Sequence, residues 1–299
     1  GITMPVLILG HTPKEEVPLL IEHHITQAVT CQAKALEYSQ EAVRCGGTLK
    51  VHIKVDTGMS RLGFLTAGEH FGTGVEAICA ACRLPGLEVE GIFTHFAVSD
   101  EPGESFTSEQ FARFMRAADE LEKDTGRSLG MRHCANSGAV VNFRETCLDM
   151  VRPGLLLYGL YPGPEHGGLD LKPVMRLLTR VAEVTEHHAG DTISYGRIFT
   201  CERDMRLAVI PVGYADGLHR SLSGKFDVLI NGRRARQVGR ICMDMCMVDV
   251  SDMPEVRAGD IVTVFGDEPE ATELAALAGT ISYELLCAIS PRVPRVYIE

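Results

Sequence analysis

The 299-residue chain has no run of eighteen or more apolar residues and no basic segment leading into a short apolar one. Nothing in it reads as a membrane-spanning helix or a secretion signal, and the default compartment is cytoplasmic. An excess of basic residues is also missing: 29 Lys and Arg stand against 40 Asp and Glu, a formal charge of −11. With the cations scattered, no electrostatic footprint exists for nucleic acid or an anionic membrane, so small molecules are the expected partners. No GxGxxG follows an early strand, which leaves a dinucleotide-binding sheet without support. The ten cysteines lack the spacing of a disulfide framework, and the lone CxxC of Cys79 and Cys82 has no second ligand pair. No metal is expected, and VEAICAACRL reads as an apolar helix face. The pairs His23-His24 and His187-His188 are isolated and read as surface features.

What is present is enough apolar residue, 45% of the chain, for a real core. Up to about residue 160, short β-branched runs alternate with helical patterns, as in parallel βα units. Strands are expected at Val6 to Leu9, near Ala28 to Thr30, at Leu49 to Asp56, at Val89 to Phe96, at Met131 to Asn136 and around Met150 to Arg152. The clearest helix is Ser108 to Lys123, where Phe111, Phe114, Met115, Ala118 and Leu121 recur at helical spacing. The fold class is α/β, an α/β barrel of TIM type with about six of its eight βα units.

Near Pro162 to Gly168 the stretch PGPEHGG breaks the pattern and reads as a linker. Short strands without long helices follow: Leu207 to Val212, Phe226 to Ile230, Met247 to Val250, Ile261 to Phe265 and Arg295 to Ile298. Asn231-Gly232 signals a type I′ hairpin. The expected domains are therefore a partial barrel over 1–163 and a mainly β domain over 164–299. Chemistry is expected at one face of the barrel, because Lys54 and Asp56, His95, Asn136 and Ser137, and Arg152 fall at the carboxyl ends of different strands.

The blocks VHIKVDTGMSRLGF, GIFTHFAVSD, HCANSGAVVNF, MVRPGLLLYGLYP, ISYGRIF, VIPVGYADGLHR, VGRICMDMCMVDV and ISYELLCAISPRVPR follow one another from about residue 50 to the end. In this order they resemble the fold-type III alanine racemases. The resemblance implies a barrel that binds pyridoxal 5′-phosphate, a C-terminal β domain, and a head-to-tail homodimer whose sites draw on both subunits. It implies racemisation of alanine by two bases on opposite faces of the substrate, supplying D-alanine for peptidoglycan.

Residue by residue, Tyr195 in SYG resembles the tyrosine base donated by the partner subunit, and His95 in THF the histidine that hydrogen-bonds it. Arg152 in VRPG resembles the arginine at the pyridine nitrogen, and His133 the histidine that orients it. Ser137 with Asn136, the amides of Gly154 and Leu155, and Tyr283 in ISYE match the phosphate-binding set. Arg61 resembles the arginine that meets the substrate carboxylate, Lys54 a lysine carbamylated in some members, and Met243 a partner residue whose amide touches the substrate. Asp100, Tyr214, Arg220 and Arg240 resemble the polar ring of the access channel. A tyrosine at 283 favours alanine over serine.

One block of the family has no counterpart: the early KANAYGHG-like segment with the cofactor lysine. Lys34, Lys50 and Lys54 stand in other contexts. By the family's layout about seventy to eighty residues precede this point, the length of two βα units. The 299 residues on their own are expected to be inactive. Three alternatives stay open: a serine or broad-specificity racemase, a basic amino-acid decarboxylase on the same architecture, and a non-catalytic protein that binds the cofactor or only dimerises.

Overall fold

The computed structural model describes residues 1–298, and the chain divides into two compact units, Gly1–Leu157 with Tyr161–Asp170, and Tyr158–Leu160 with Leu171–Glu299. In the first, β1 (Val6–Ile8), α1 (Val17–Glu22), β2 (Ile25–Val29), α2 (Gln32–Arg44) and β3 (Leu49–Asp56) alternate, followed by the short β4 (Phe64–Leu65), α3 (Phe71–Cys82), β5 (Leu87–Phe93), α4 (Phe106–Thr125), β6 (Met131–His133) and α5 (Ser137–Asn142). The sheet runs β1-β2-β3-β5-β6, every pairing parallel, with β4 beside the end of β3. The order in space follows the order in sequence, the arrangement from which an α/β barrel is built.

Hydrophobic burial explains the layering. Val51, Ile53 and Val55 alternate along β3 and share one core with Tyr38 and Ala42 of α2, Ile78 and Cys82 of α3, and Phe114, Ala118 and Leu121 of α4. The opposite face of β3 is also closed, since His52, Lys54 and Asp56 are all buried. A parallel strand covered on both sides has to bury whatever its inward positions carry. Cys79 and Cys82 belong to this core as free thiols, and no metal-binding cluster occurs among the described residues. The strand expected around Met150 to Arg152 survives only as a single parallel bridge between Asn136 and Arg152. Helix α4 extends two residues beyond the expected Ser108 to Lys123 at each end, stopped by Gly126 in the left-handed conformation (φ 67°).

The second unit is antiparallel: β7 (Leu177–Arg180), β8 (Glu183–His187), β9 (Thr192–Ile193), β10 (Phe199–Thr200), β11 (Met205–Ile210), β12 (Asp227–Ile230), β13 (Arg233–Val238), β14 (Cys246–Asp249) and β15 (Ile261–Phe265), then α6 (Ala271–Ala278) and α7 (Ser282–Ala288). Seven strands pair in the order β7-β15-β12-β13-β14-β11-β8, with β9 and β10 as a separate ribbon. Asn231 (φ 50°) and Gly232 (φ 75°) form the two-residue turn between β12 and β13, the positive angles that a type I′ hairpin requires. Arg295 to Ile298 is not a strand. Pro294 withholds a ladder donor, and the Arg295 side chain instead donates to the carbonyls of Ile289 and Ser290.

Candidate functional site

In the first unit the carboxyl ends of β3, β5 and β6 bring three of the expected residues against one aromatic ring, Phe93. The Arg152 guanidinium lies 5.4 Å from the ring centroid and the Lys54 ammonium 4.9 Å, while His133 stacks on it at 4.7 Å with planes 6° apart. Arg152 donates to His133 Nδ1 at 2.6 Å, to the Thr94 carbonyl at 2.8 Å and to the Cys134 carbonyl at 3.1 Å. It approaches His95 Nδ1 at 3.5 Å, the outer limit of a hydrogen bond. Its described partners include no carboxylate. Burial pulls its pKa down to about 10, which still leaves it charged at neutrality.

The surrounding bases are pushed toward their neutral forms. Burial, then the Arg152 charge, push His95 down to about 4 and His133 to about 2. Lys54 falls to about 7, through burial first and the Arg152 charge second. Its Nζ has no hydrogen-bond partner in the described structure. An orphaned buried amine that is half uncharged at pH 7 is both a costly group and a nucleophile.

Arg61 is brought near by a turn. Asp56 Oδ1 accepts from the amides of Gly58 (2.9 Å) and Ser60 (3.0 Å), and Ser60 adopts φ 56°. Gly63 is obligatory here: at φ 127° its missing Cβ would lie 2.7 Å from the Asp56 nitrogen. Arg61 itself is exposed, and its charge is felt at Lys54 and His95. Asn136 caps α5, accepting from Ala139 N at 3.0 Å and from Ser99 at 2.6 Å, so its amide oxygen is already engaged. Ser137 is buried beside it, and a side chain added at Gly154 would meet open space. The backbone before Asp100, itself exposed, packs on Gly138, whose missing Cβ would lie 2.7 Å from the Asp100 nitrogen.

The second unit holds a separate cluster. Tyr195 is 71% exposed on a turn that carries three positive angles in four residues, Ser194 at 65°, Gly196 at 72° and Arg197 at 50°. Ser194 donates to the Arg240 carbonyl at 2.8 Å, and the Arg240 side chain lies against Gly196. Tyr214 N and Ala215 N donate to the carbonyls of Cys242 (3.1 Å) and Met243 (2.8 Å), which ties the GYADG and CMD segments together. Gly213 allows this approach, its missing Cβ lying 2.4 Å from the Cys242 carbonyl oxygen, and Gly217 allows the approach of α7, its missing Cβ lying 2.3 Å from the carbonyl oxygen of Ala288. Arg220 sits in a 3-10 turn (Arg220–Leu222) and Tyr283 at the second position of α7.

The motif reading missed Phe93, the platform of the first cluster, and His52, 2.8 Å from His133 Nε2. It also missed Asp216, whose carboxylate accepts from Gly213 N at 2.9 Å and pairs with Arg292 at 3.0 Å. The alternation in VHIKVD was the available signal for His52, since it puts residue 52 on the same face as Lys54 and Asp56.

Sequence comparison identifies the family. The model of the alanine racemase N-terminal domain matches residues 1–162, and that of the C-terminal domain matches 174–297. The chain is 48% identical to an alanine racemase of Desulfovibrio desulfuricans over 305 aligned positions, covering all of this chain and 80% of that protein. A Desulforamulus reducens alanine racemase is 46% identical, with the same coverages. Among solved structures, alanine racemase from Clostridium difficile 630 superposes with a TM-score of 0.92 at 37% identity, over 100% of this chain and 77% of that one. The enzyme from D-cycloserine-producing Streptomyces lavendulae gives 0.91 at 35% identity, over 100% and 79%. The chain belongs to the alanine racemase family.

Proposed function

We propose that the full-length gene product interconverts L- and D-alanine with pyridoxal 5′-phosphate as cofactor, in a cytoplasmic homodimer whose sites draw on both subunits, and that these 299 residues alone do not. The observation that carries the reading is a half-buried, charged arginine held by neutral acceptors next to a neutral histidine. A guanidinium in that state donates a hydrogen bond to a ring nitrogen without giving up its proton. Arg152 would hold the pyridine nitrogen, with Ser137, Asn136, Tyr283 and the amides of Gly154 and Leu155 around the phosphate. The open space at Gly154 and the donor chemistry of this set fit the group. When bound, the cofactor supplies an electron sink that acidifies the substrate's α-C–H.

The chain's own groups then manage protons and orientation. Tyr195 removes or returns the α-proton on one face, which requires a phenol near its deprotonated form. Because His95 Nδ1 faces the Arg152 cation, its ring proton belongs on Nε2. From there it donates to the phenolate oxygen and favours it. Arg61 takes the substrate carboxylate. The uncharged Lys54 amine adds to carbon dioxide, forming an N–C bond with loss of a proton; the resulting carbamate anion steadies Arg61. Met243 touches the substrate through its amide. Asp100, Tyr214, Arg220 and Arg240 line the access channel, and Tyr283 narrows the pocket to alanine. Tyr195 and Met243, 71% and 57% exposed, are apolar surface that a second copy would cover.

The test uses the full-length gene product. Tyr195→Phe and Arg61→Ala subunits are each expected to be inactive as homodimers. Random mixing restores one intact site in each mixed dimer, about a quarter of all sites. No recovery would refute a site shared across the dimer, and absence of D-alanine from the unmutated protein would refute the activity.

A further inference from the structure

His52 is a buried histidine of the first unit that the proposed reaction does not use. It is 6% exposed and makes a side-chain hydrogen bond to a second buried histidine, Nδ1 to His133 Nε2 at 2.8 Å. Two features of the sheet exist around it. The pairing of β3 with β5 slips between Val51 and His52, so that Val51 faces Val89 but His52 faces Gly91. A Cβ at Gly91 would lie 2.5–2.7 Å from three atoms of the His52 ring, so a side chain there would displace the imidazole. A bulge and a glycine together hold the space in which this imidazole lies.

Proton bookkeeping fixes the direction of the contacts. Arg152 has only N–H donors, so His133 Nδ1 must accept from it. His133, fully buried and neutral, then carries its proton on Nε2 and donates it to His52. His52 Nδ1 must accept, so His52 is neutral with its own proton on Nε2. Burial favours this form, with the nearby Arg152 charge working the same way and Glu90 opposing it. His52 lines a cavity of about 810 Å³ with Thr26, Lys50, Glu90 and Met131.

We infer that His52 is a positioning residue for the reaction. It terminates a one-way relay, Arg152 to His133 to His52, that holds the guanidinium at the cofactor ring. Without an acceptor at position 52, the His133 Nε2–H would be a buried donor with no partner, and the cheapest relief is rotation of the His133 ring away from Arg152. The role rests on the cofactor reading above, whereas the relay itself does not.

The experiment uses three forms of the full-length protein: unmutated, His52→Asn, whose amide oxygen overlays Nδ1 and can still accept, and His52→Leu, of similar size but without an acceptor. Nitrogen-15 NMR of labelled histidines in the cofactor-free protein reads the relay. His133 should show a bare Nδ1 and a protonated Nε2 in the unmutated and His52→Asn proteins, and a shifted, exchange-broadened signal in His52→Leu. Titration of the folded proteins with pyridoxal 5′-phosphate reads the role. Affinity should fall about threefold to tenfold in His52→Leu, the worth of one hydrogen bond, and kcat with it. His52→Asn should stay within about twofold, and the KM for alanine should not move. A proton on His133 Nδ1, or full cofactor affinity in His52→Leu, would overturn the inference. If the unmutated protein binds no pyridoxal 5′-phosphate while the tautomers are as stated, the cofactor reading and the positioning role fall together, and the relay stands.

Discussion

Replacing Lys54 by methionine should make the protein more stable, and only in a defined pH range. The side chain is 5% exposed, its Nζ has no partner, and burial with the Arg152 charge brings its pKa from 10.5 to about 7. Between those values the unfolded chain binds a proton that the native one refuses. Native stability therefore falls as pH drops from about 10.5 to about 7 and is level below. At about 1.4 kcal/mol per pH unit, the full deficit at pH 7 is about 4 kcal/mol, an order-of-magnitude value. Lys54→Met keeps the length of the side chain and removes the charge, so it should recover most of that at pH 7 and nothing at high pH. Urea unfolding of the full-length protein at pH 7, 8, 9 and 10, without bicarbonate, should show the two forms converging as pH rises. Added bicarbonate should stabilise the parent and leave Lys54→Met unchanged, because only an amine forms a carbamate. Parallel pH curves, or a variant less stable throughout, would refute the claim of an uncompensated buried amine.

The histidines set the opposite end of the pH range. His95 near 4 and His133 near 2 stay neutral in the fold while the unfolded chain protonates them near 6.5. Stability is lost as pH falls below that value, at about 2 kcal/mol per pH unit for the pair, readable from urea midpoints between pH 6.5 and 5. Gly91→Ala should cost about 1–3 kcal/mol from overpacking against His52 and should reproduce the weak cofactor binding of His52→Leu, measured by the same titration. Asp216→Asn removes the charge that pairs with Arg292 and weakens the bond from Gly213 N. It should cost about 1–3 kcal/mol and speed hydrogen exchange at Tyr214 to Leu218 while leaving the first unit's amides unchanged.

The sequence made some of this visible because chemistry and folding leave different marks. His95 and Arg152 stood out as polar residues where Val- and Ile-rich runs end, and Asn231-Gly232 announced its turn because few residue pairs tolerate two positive angles. The span of β3 was legible to the residue, Leu49 to Asp56, because a strand with seven of its eight residues buried, on both faces, leaves little room for a different boundary. Arg295 to Ile298 has the composition of a strand but no partner, and pairing is a tertiary property that composition does not carry. His52 and Phe93 were hidden for a related reason. The alternation in VHIKVD puts His52 on the face of Lys54 and Asp56 but does not say what that face meets, and the bulge that aligns His52 with Gly91 appears only once two strands pair.

The central claim is that these residues move a proton on and off the α-carbon of alanine, with Tyr195 serving one face. The most direct measurement is conversion of L-alanine by the full-length protein in deuterium oxide, following optical rotation and deuterium at the α-carbon together. The account predicts that D-alanine appears with solvent deuterium incorporated, and that Tyr195→Phe loses racemisation by at least about a hundredfold, the scale of a general base. Racemisation undiminished in Tyr195→Phe, or no solvent deuterium in the D-alanine formed, would contradict it.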